Sequence, residues 1–393
     1  MNIGLVIFGE PFGGRENVVF QLQRYFQKLG HKVYLISNSE FFGWTRKLDC
    51  EKIDLGPMHS TKLLISKIFK LNVNFPRVNI LNPLLQDLFI LNKRRSIIDK
   101  LNTIKLDILN FHEQSSLRLF DLNYLKIPSV YTFHGDKYDW ITGENKLLGY
   151  RKKGLSNTKK KIDNMNGITS VSNDLITRLR YQGLNKPIEL INNGIDLRFI
   201  ESINPGIKDK TKFTLFFPGG SDPNKGGLEI AKAINNLRGN INNLKLIVTK
   251  KFNYDSKFYN YIMDNSLFEI VEIYGQVSNS KNIELMKSSD VAIQPSKKEA
   301  FSVFYLEAMA CGLPIIATGN SGVLEQIENQ INGILVSEHR TSDEISEAIQ
   351  SIYYSKSLRK KFSDNNIIKS KDYDWLDISQ KYLNYYTEVI KNA

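Results

Sequence analysis

The stretch DVAIQPSKKEAFSVFYLEAMACGLPIIAT, residues 290–318, decides the fold. DVAIQPS reads as a buried strand, SVFYLEAMACG as a helix ended by Gly312, and PIIATG as the next strand, with KKEAF as the tight loop between strand and helix. Elements in this order make a doubly wound α/β unit, whose ligands gather at the carboxyl ends of the strands. The helix therefore opens at that edge. Its backbone N–H groups near Phe301, Ser302 and Val303, with the helix dipole behind them, offer a site for a diphosphate. Ser302 can add a hydroxyl there or act as the helix N-cap, and both can hold. Glu307, one turn in, can accept hydrogen bonds from ribose hydroxyls, and Glu299, on the loop, from hydroxyls of a sugar. Two such glutamates by themselves are a weak signal, since most are simply solvated.

Working outward, the same rhythm fills the chain. IGLVIF reads as a buried strand and ENVVFQLQRYFQKLG as a helix ended by Gly30, followed by KVYLIS and, further on, by LDILNFH, PSVYTFHG and GITSVS. A second set runs through KFTLFFPGG, NLKLIVTK, FEIVEIYG and the opening stretch. Between the sets lies IELINNGIDLRFI, whose Asn193–Gly194 step signals a turn. These patterns predict two Rossmann-like domains, residues 1–198 and 199–375, with an amphipathic closing helix over 376–393 that returns to the first domain.

A length of 393 residues suits two domains better than one core. Two cysteines, Cys50 and Cys311, are too few for a disulfide framework or a four-thiolate zinc site, which points to a reducing cytoplasm. The first residues lack the basic start of a signal peptide, and no apolar run reaches the roughly 18 residues that span a bilayer. Of the net charge of +12, all lies in residues 1–200, with 30 basic and 18 acidic side chains against 23 of each in the remainder. A basic face of this kind attracts nucleic acid, anionic lipid or a phosphate-bearing substrate, or is only solvated.

The segment KKEAFSVFYLEAMACGLPIIAT closely resembles the E-x7-E segment of retaining glycosyltransferases of family 4, whose fold, GT-B, sets two Rossmann-like domains across a cleft. The resemblance extends to GGRENVVFQLQRYFQKLGHKV, INNGID, NKGG, SGVLEQI, NGILV and DWLDISQKYLNYY. It implies that Glu307 binds ribose and Glu299 faces the donor sugar. Lys225 would neutralise the diphosphate, so that the leaving group departs without a metal or other cofactor. Gly13 and Gly14 match a loop whose backbone approaches the donor phosphate, Tyr274 and Gly275 a segment that meets the base, and His134 a histidine near the transferred sugar. For the neighbouring His112 a structural role is the better reading. Two departures stand out: Gly220 occupies a position where the family often has arginine, and Asn192 one where it often has proline.

The implied activity is transfer of a sugar from a nucleotide diphosphate sugar, a UDP-sugar being favoured, to a saccharide or lipid-linked saccharide, as in bacterial surface polysaccharide or glycolipid synthesis. TKLLISKIFKL (61–71) has the apolar and lysine pattern of a helix lying on an anionic membrane, or of a packed helix with solvated lysines, and RKKGLSNTKKK (151–161) is strongly basic. The expected location is cytoplasmic, with peripheral contact at the inner membrane face as one option. Nucleic acid is disfavoured, because no aromatic platform interleaves the basic residues. Competing readings are a sugar-nucleotide-binding partner without chemistry, suggested by Gly220, and an epimerase or phosphorylase of similar architecture.

Overall fold

A computed structural model describes residues 1–8, 14–44, 49–55, 97–120, 122–135 and 158–393. Gly13, the 61–71 segment and residues 151–157 lie outside the described residues. The chain divides into two compact units, one formed by Met1–Val171, Ile176–Ile191 and Ser379–Ala393, the other by Ser172–Leu175 and Asn192–Ile378. The division thus falls after Ile191, where the sequence pattern put it near Arg198, and four residues of the helix Asn173–Tyr181 and the strand end before it belong with the second unit.

The first unit carries a sheet in the order β3-β2-β1-β4-β5-β6-β7: β1 Asn2–Val6, β2 Lys32–Ser37, β3 Glu51–Asp54, β4 Ile108–Phe111, β5 Ser129–Phe133, β6 Gly167–Ser170 and β7 Glu189–Leu190. Its pairings are parallel. Parallel strands are covered on both faces, which is why β4, β5 and β6 are buried at every residue and read as unbroken runs. The helix Gly14–Lys28 closes as predicted at Gly30, whose φ of 83° lets Gly30 N–H reach Gln27 O and His31 N–H reach Phe26 O, both at 3.0 Å. The closing helix, Trp375–Lys391, joins this unit from Ser379 onward. Phe26 packs edge-on against Tyr386 at 5.8 Å, and the Tyr385 hydroxyl accepts from Ile168 N–H at 2.9 Å.

The second unit has the order β10-β9-β8-β11-β12-β13: β8 Phe213–Phe217, β9 Leu244–Thr249, β10 Val271–Gly275, β11 Val291–Gln294, β12 Ile315–Thr318 and β13 Gly333–Val336. Here too the pairings are parallel. The strand order reverses between β8 and β11, which makes the carboxyl edge there a topological switch point where a ligand crevice forms. The helix Val303–Ala310 after β11 buries Phe304, Tyr305, Leu306, Ala308 and Met309 and packs on the helix Lys356–Ser370. It ends at Gly312, φ 69°, with Gly312 N–H to Met309 O and Leu313 N–H to Ala308 O.

Asn193–Gly194 is not a turn. Ile195, next along, bridges to Asp374, and a Cβ on Gly194 would lie 2.7 Å from the Trp375 ring. Glycine is needed there for a close approach, not for a bend.

Candidate active site

The loops after β8 and β11 meet over the crevice of the second unit, and small residues let them do so. A Cβ on Gly219 would lie 2.7 Å from Lys225 Cβ, and one on Gly226, φ 86°, would lie 2.6 Å from Pro295 O. Lys297 N–H donates to Asn224 O at 2.8 Å, joining the two loops directly. Arg340, 4% exposed, donates to Pro295 O and to Glu229 Oε1, each at 2.9 Å.

The loop carrying Glu299 is pinned along its length. Asn320 Nδ2 donates to Ser296 O and Lys297 O, and Gly322 N–H donates to Glu299 O at 3.1 Å. Gly322 sits so close that a Cβ would lie 1.6 Å from Ala300 O. At the far end Gln326 clamps Ser302, accepting from its N–H and donating to its carbonyl at 2.8 Å. The Phe301 carbonyl accepts from Asn193 Nδ2 at 3.1 Å, and the Phe301 ring stands 5.6 Å from Tyr373. A loop held by this many backbone contacts presents its side chains already ordered.

Those side chains converge on one oxygen. Glu299 Oε1 accepts from Lys225 Nζ at 2.5 Å, Ser296 Oγ at 2.9 Å and Gln294 Nε2 at 3.1 Å. Oε2 has no protein donor among the described residues. Lys225 is therefore held at the switch point by a carboxylate that is itself fixed by two neutral donors. Glu307, partly exposed on the following helix, has no hydrogen-bond partner among the described residues. Burial pushes its carboxyl up to about 7, although Lys250 pulls it down.

The helix N-terminus is open in part. Phe301 and Val303 N–H make no hydrogen bond among the described residues, but Ser302 N–H is taken by Gln326 and is withdrawn from any anion site. Ser302 holds the N-cap position without a side-chain capping bond. Gly220 has φ 53°, and a Cβ there would lie 2.2 Å from Lys251 O, so this backbone admits no arginine. Tyr274 and Gly275 end the edge strand β10, where the register shifts and Gly275 takes φ 67°. The Tyr274 hydroxyl bonds to Glu272, and burial foremost pushes it up to about 12.

In the first unit, His112 and His134 follow β4 and β5. His112 Nδ1 and His134 Nε2 lie 2.8 Å apart with the rings stacked, so one nitrogen donates and the other accepts. Burial, then Arg15, pushes His134 down to about 3; burial, His134 and Arg15 hold His112 well below the usual range. The pair is neutral at physiological pH, and among the described residues His134 Nδ1 is buried without a partner. Gly14 opens the helix Gly14–Lys28, and among the described residues nothing lies within 4 Å of a Cβ there.

Residues 199–368 match the family profile described as glycosyl transferases group 1, and residues 12–199 match that of glycosyltransferase family 4. The chain belongs to glycosyltransferase family 4. Its two Rossmann-like units are those of the GT-B fold, and Anabaena HepE, solved in complex with UDP, shares that fold with a TM-score of 0.73 at 17% identity over 98% of this chain and 99% of its own. An uncharacterized glycosyltransferase of Methanocaldococcus jannaschii is 29% identical over 255 residues, 64% of this chain and 66% of that one. The N,N'-diacetylbacillosaminyl-diphospho-undecaprenol alpha-1,3-N-acetylgalactosaminyltransferase of Campylobacter jejuni is 35% identical over 116 residues, 30% of this chain and 31% of that one.

In this glycosyltransferase the structure brings Lys225, Glu299, Phe301 and Val303 together in the second unit and sets Glu307 one turn along the same helix. Sequence reasoning missed Gln294 and Ser296, which hold Glu299, and Asn320, Gly322 and Gln326, which hold its loop. The dipeptide Gln294–Pro295 at a strand end carries no signal, and SGVLEQI, though part of the resemblance, shows its contacts with the Glu299 loop only once the fold juxtaposes them. His112, read as structural, is joined to His134.

Proposed function

We propose that the protein is a retaining glycosyltransferase that takes a sugar from a nucleotide diphosphate sugar, preferentially a UDP-sugar. The acceptor would be a saccharide or lipid-linked saccharide of bacterial surface polysaccharide or glycolipid synthesis. The observation that carries this reading is the Lys225–Glu299 pair at the β8/β11 switch point, beside the N-terminus of the helix that bears Glu307. In the reaction the bond between the anomeric carbon and the diphosphate oxygen breaks and its electron pair leaves with the nucleotide. The acceptor hydroxyl attacks on that same face and passes its proton to the departing phosphate. Lys225 and the Phe301 and Val303 N–H groups stabilise the charge that develops on the diphosphate, Glu299 Oε2 orients a sugar hydroxyl, and Glu307 binds ribose.

Lysine and backbone donors would supply this stabilisation without a metal. The UDP preference is supported by the Anabaena fold neighbour solved with UDP, and the lipid-linked acceptor by the name of the Campylobacter relative. Neutral His134, its Nδ1 without a partner among the described residues, suits a saccharide hydroxyl better than a charged group. Among the described residues no helix is long and apolar enough to cross a membrane. The basic excess of residues 1–200 favours an acceptor presented at an anionic surface, met from the cytoplasmic side.

A panel of nucleotide sugars tests the reading. One of them, with UDP-sugars first, is expected to raise the melting temperature and to be slowly hydrolysed without acceptor. Stabilisation with no hydrolysis or transfer in any acceptor mixture would leave a binding protein only, and conversion of the sugar itself an epimerase.

A further inference from the structure

β9 ends at Thr249, and the next residue, Lys250, has φ 76°, a conformation that side-chain-bearing residues seldom adopt. The fold imposes it from both sides. β9 is paired to β8 up to Phe217↔Val248, and just beyond Lys250 the chain is tied back to the β8 loop, with Lys251 O accepting from Ser221 N–H at 3.4 Å and Asn253 N–H donating to Ser221 Oγ at 2.8 Å. Across this junction Gly220 is also left-handed, and Lys251 O occupies the space a side chain at 220 would need. At Gly220 the residue type suits the backbone. At Lys250 it does not, and strain of order 1 kcal/mol is retained for a residue whose side chain stands at the ligand edge of the sheet.

The side chain itself is unusual in its surroundings. Lys250 is open to solvent yet closely surrounded by protein, and it makes no hydrogen bond or ion pair among the described residues. Lys225, Glu307, Glu299 and Asp222 all act on its charge. Of the carboxylates, Glu299 is already bound to Lys225, and Asp222 Oδ1 accepts from Asn224 N–H and Nδ2. Burial and the repulsion of Lys225 push its ammonium below the ordinary lysine range, a cost that an anion at this edge would relieve.

We propose that Lys250 is the second cation of the donor site, gripping the diphosphate together with Lys225 and supplying from the β9 loop the positive charge that Gly220 cannot supply from the β8 loop. This rests on the nucleotide-sugar reading of the site. The left-handed backbone is then the device that turns the lysine toward the ligand and keeps it there.

The test compares wild type, Lys250→Gly and Lys250→Met as full chains, by calorimetric titration with UDP, GDP, ADP and dTDP at two salt concentrations and by thermal melting. With the nucleotide that the wild type binds best, both variants are expected to lose about tenfold or more in affinity, as for one charge-assisted contact, and to show a shallower salt dependence. Lys250→Gly should melt at or above the wild-type temperature, because glycine suits φ 76°. Affinity within twofold of wild type in Lys250→Gly overturns the proposal and leaves the donor reading intact. Lower melting temperatures in both variants, in step with lost affinity, overturn it in favour of a structural lysine. A wild type that binds none of the four nucleotides removes the donor reading, and this inference with it.

Discussion

Lys225→Ala is expected to lower turnover by about 10²–10³-fold, with a smaller loss of donor affinity. The asymmetry follows from when the charge is needed. Before reaction the ammonium is already satisfied by Glu299 Oε1 at 2.5 Å, so the ground-state diphosphate gains only part of its field. As the glycosidic bond breaks, negative charge accumulates on the leaving oxygen, and a fixed cation lowers that state more than the one before it. Removing Lys225 also leaves Glu299, its side chain 14% exposed, with two neutral donors and without its paired cation. Stability should fall by about 1 kcal/mol. The measurement is kcat and KM for the donor in wild type and variant. An unchanged kcat with a raised KM would make Lys225 a binding residue only, and unchanged values of both would remove it from the mechanism.

Glu307→Gln is expected to separate stability from function. The carboxyl is pushed up to about 7 from an ordinary 4.5, chiefly by burial, so the folded chain favours its protonated form. In the unfolded chain the group ionises near 4.5, so the stability it contributes is complete below that value and is lost as pH rises through about 7. The amide cannot ionise. At pH 8 the variant should therefore be more stable than wild type, by up to about 3 kcal/mol before solvent screening is discounted, and the two should converge near pH 4. Donor binding should move the other way. Ribose hydroxyls donate to the ionised carboxylate, so wild-type affinity should rise between pH 6 and 8, while the variant binds about tenfold or more weakly with little pH dependence. Melting curves and nucleotide titrations across this range check both halves. A variant that binds as tightly as wild type would take Glu307 out of the ribose site.

Much of this architecture is legible in the sequence because parallel strands are buried on both faces. VAIQ of β11, IIAT of β12 and FTLFF of β8 are buried at every residue and stand out as apolar runs between turn residues. Gly30 and Gly312 end their helices as glycine does when the chain must turn left-handed. Glu299, Glu307 and Lys225 were found through their resemblance to a family pattern, since the residue types alone carry little information.

What sequence could not show is contact between distant positions. The Ser302 N–H reads as free at a helix start until Gln326, 24 residues on, is folded against it. Asn193–Gly194 has the chemistry of a turn, yet glycine is required there because the Trp375 ring leaves no room for a Cβ. The left-handed Lys250 has no local signal, because its backbone is set by Ser221 in another loop. Such features depend on which segments the fold brings side by side, and a linear pattern does not record that.

The central claim is that the carboxyl edge of β8 and β11 holds the diphosphate of a nucleotide sugar. A crystal structure of the full chain with UDP tests it most directly. The diphosphate is expected against Lys225 and the Phe301 and Val303 N–H groups, with ribose on Glu307 and the base toward Tyr274 and Gly275. UDP bound elsewhere, with the Lys225–Glu299 pair undisturbed and Glu307 without a ligand, would contradict the account.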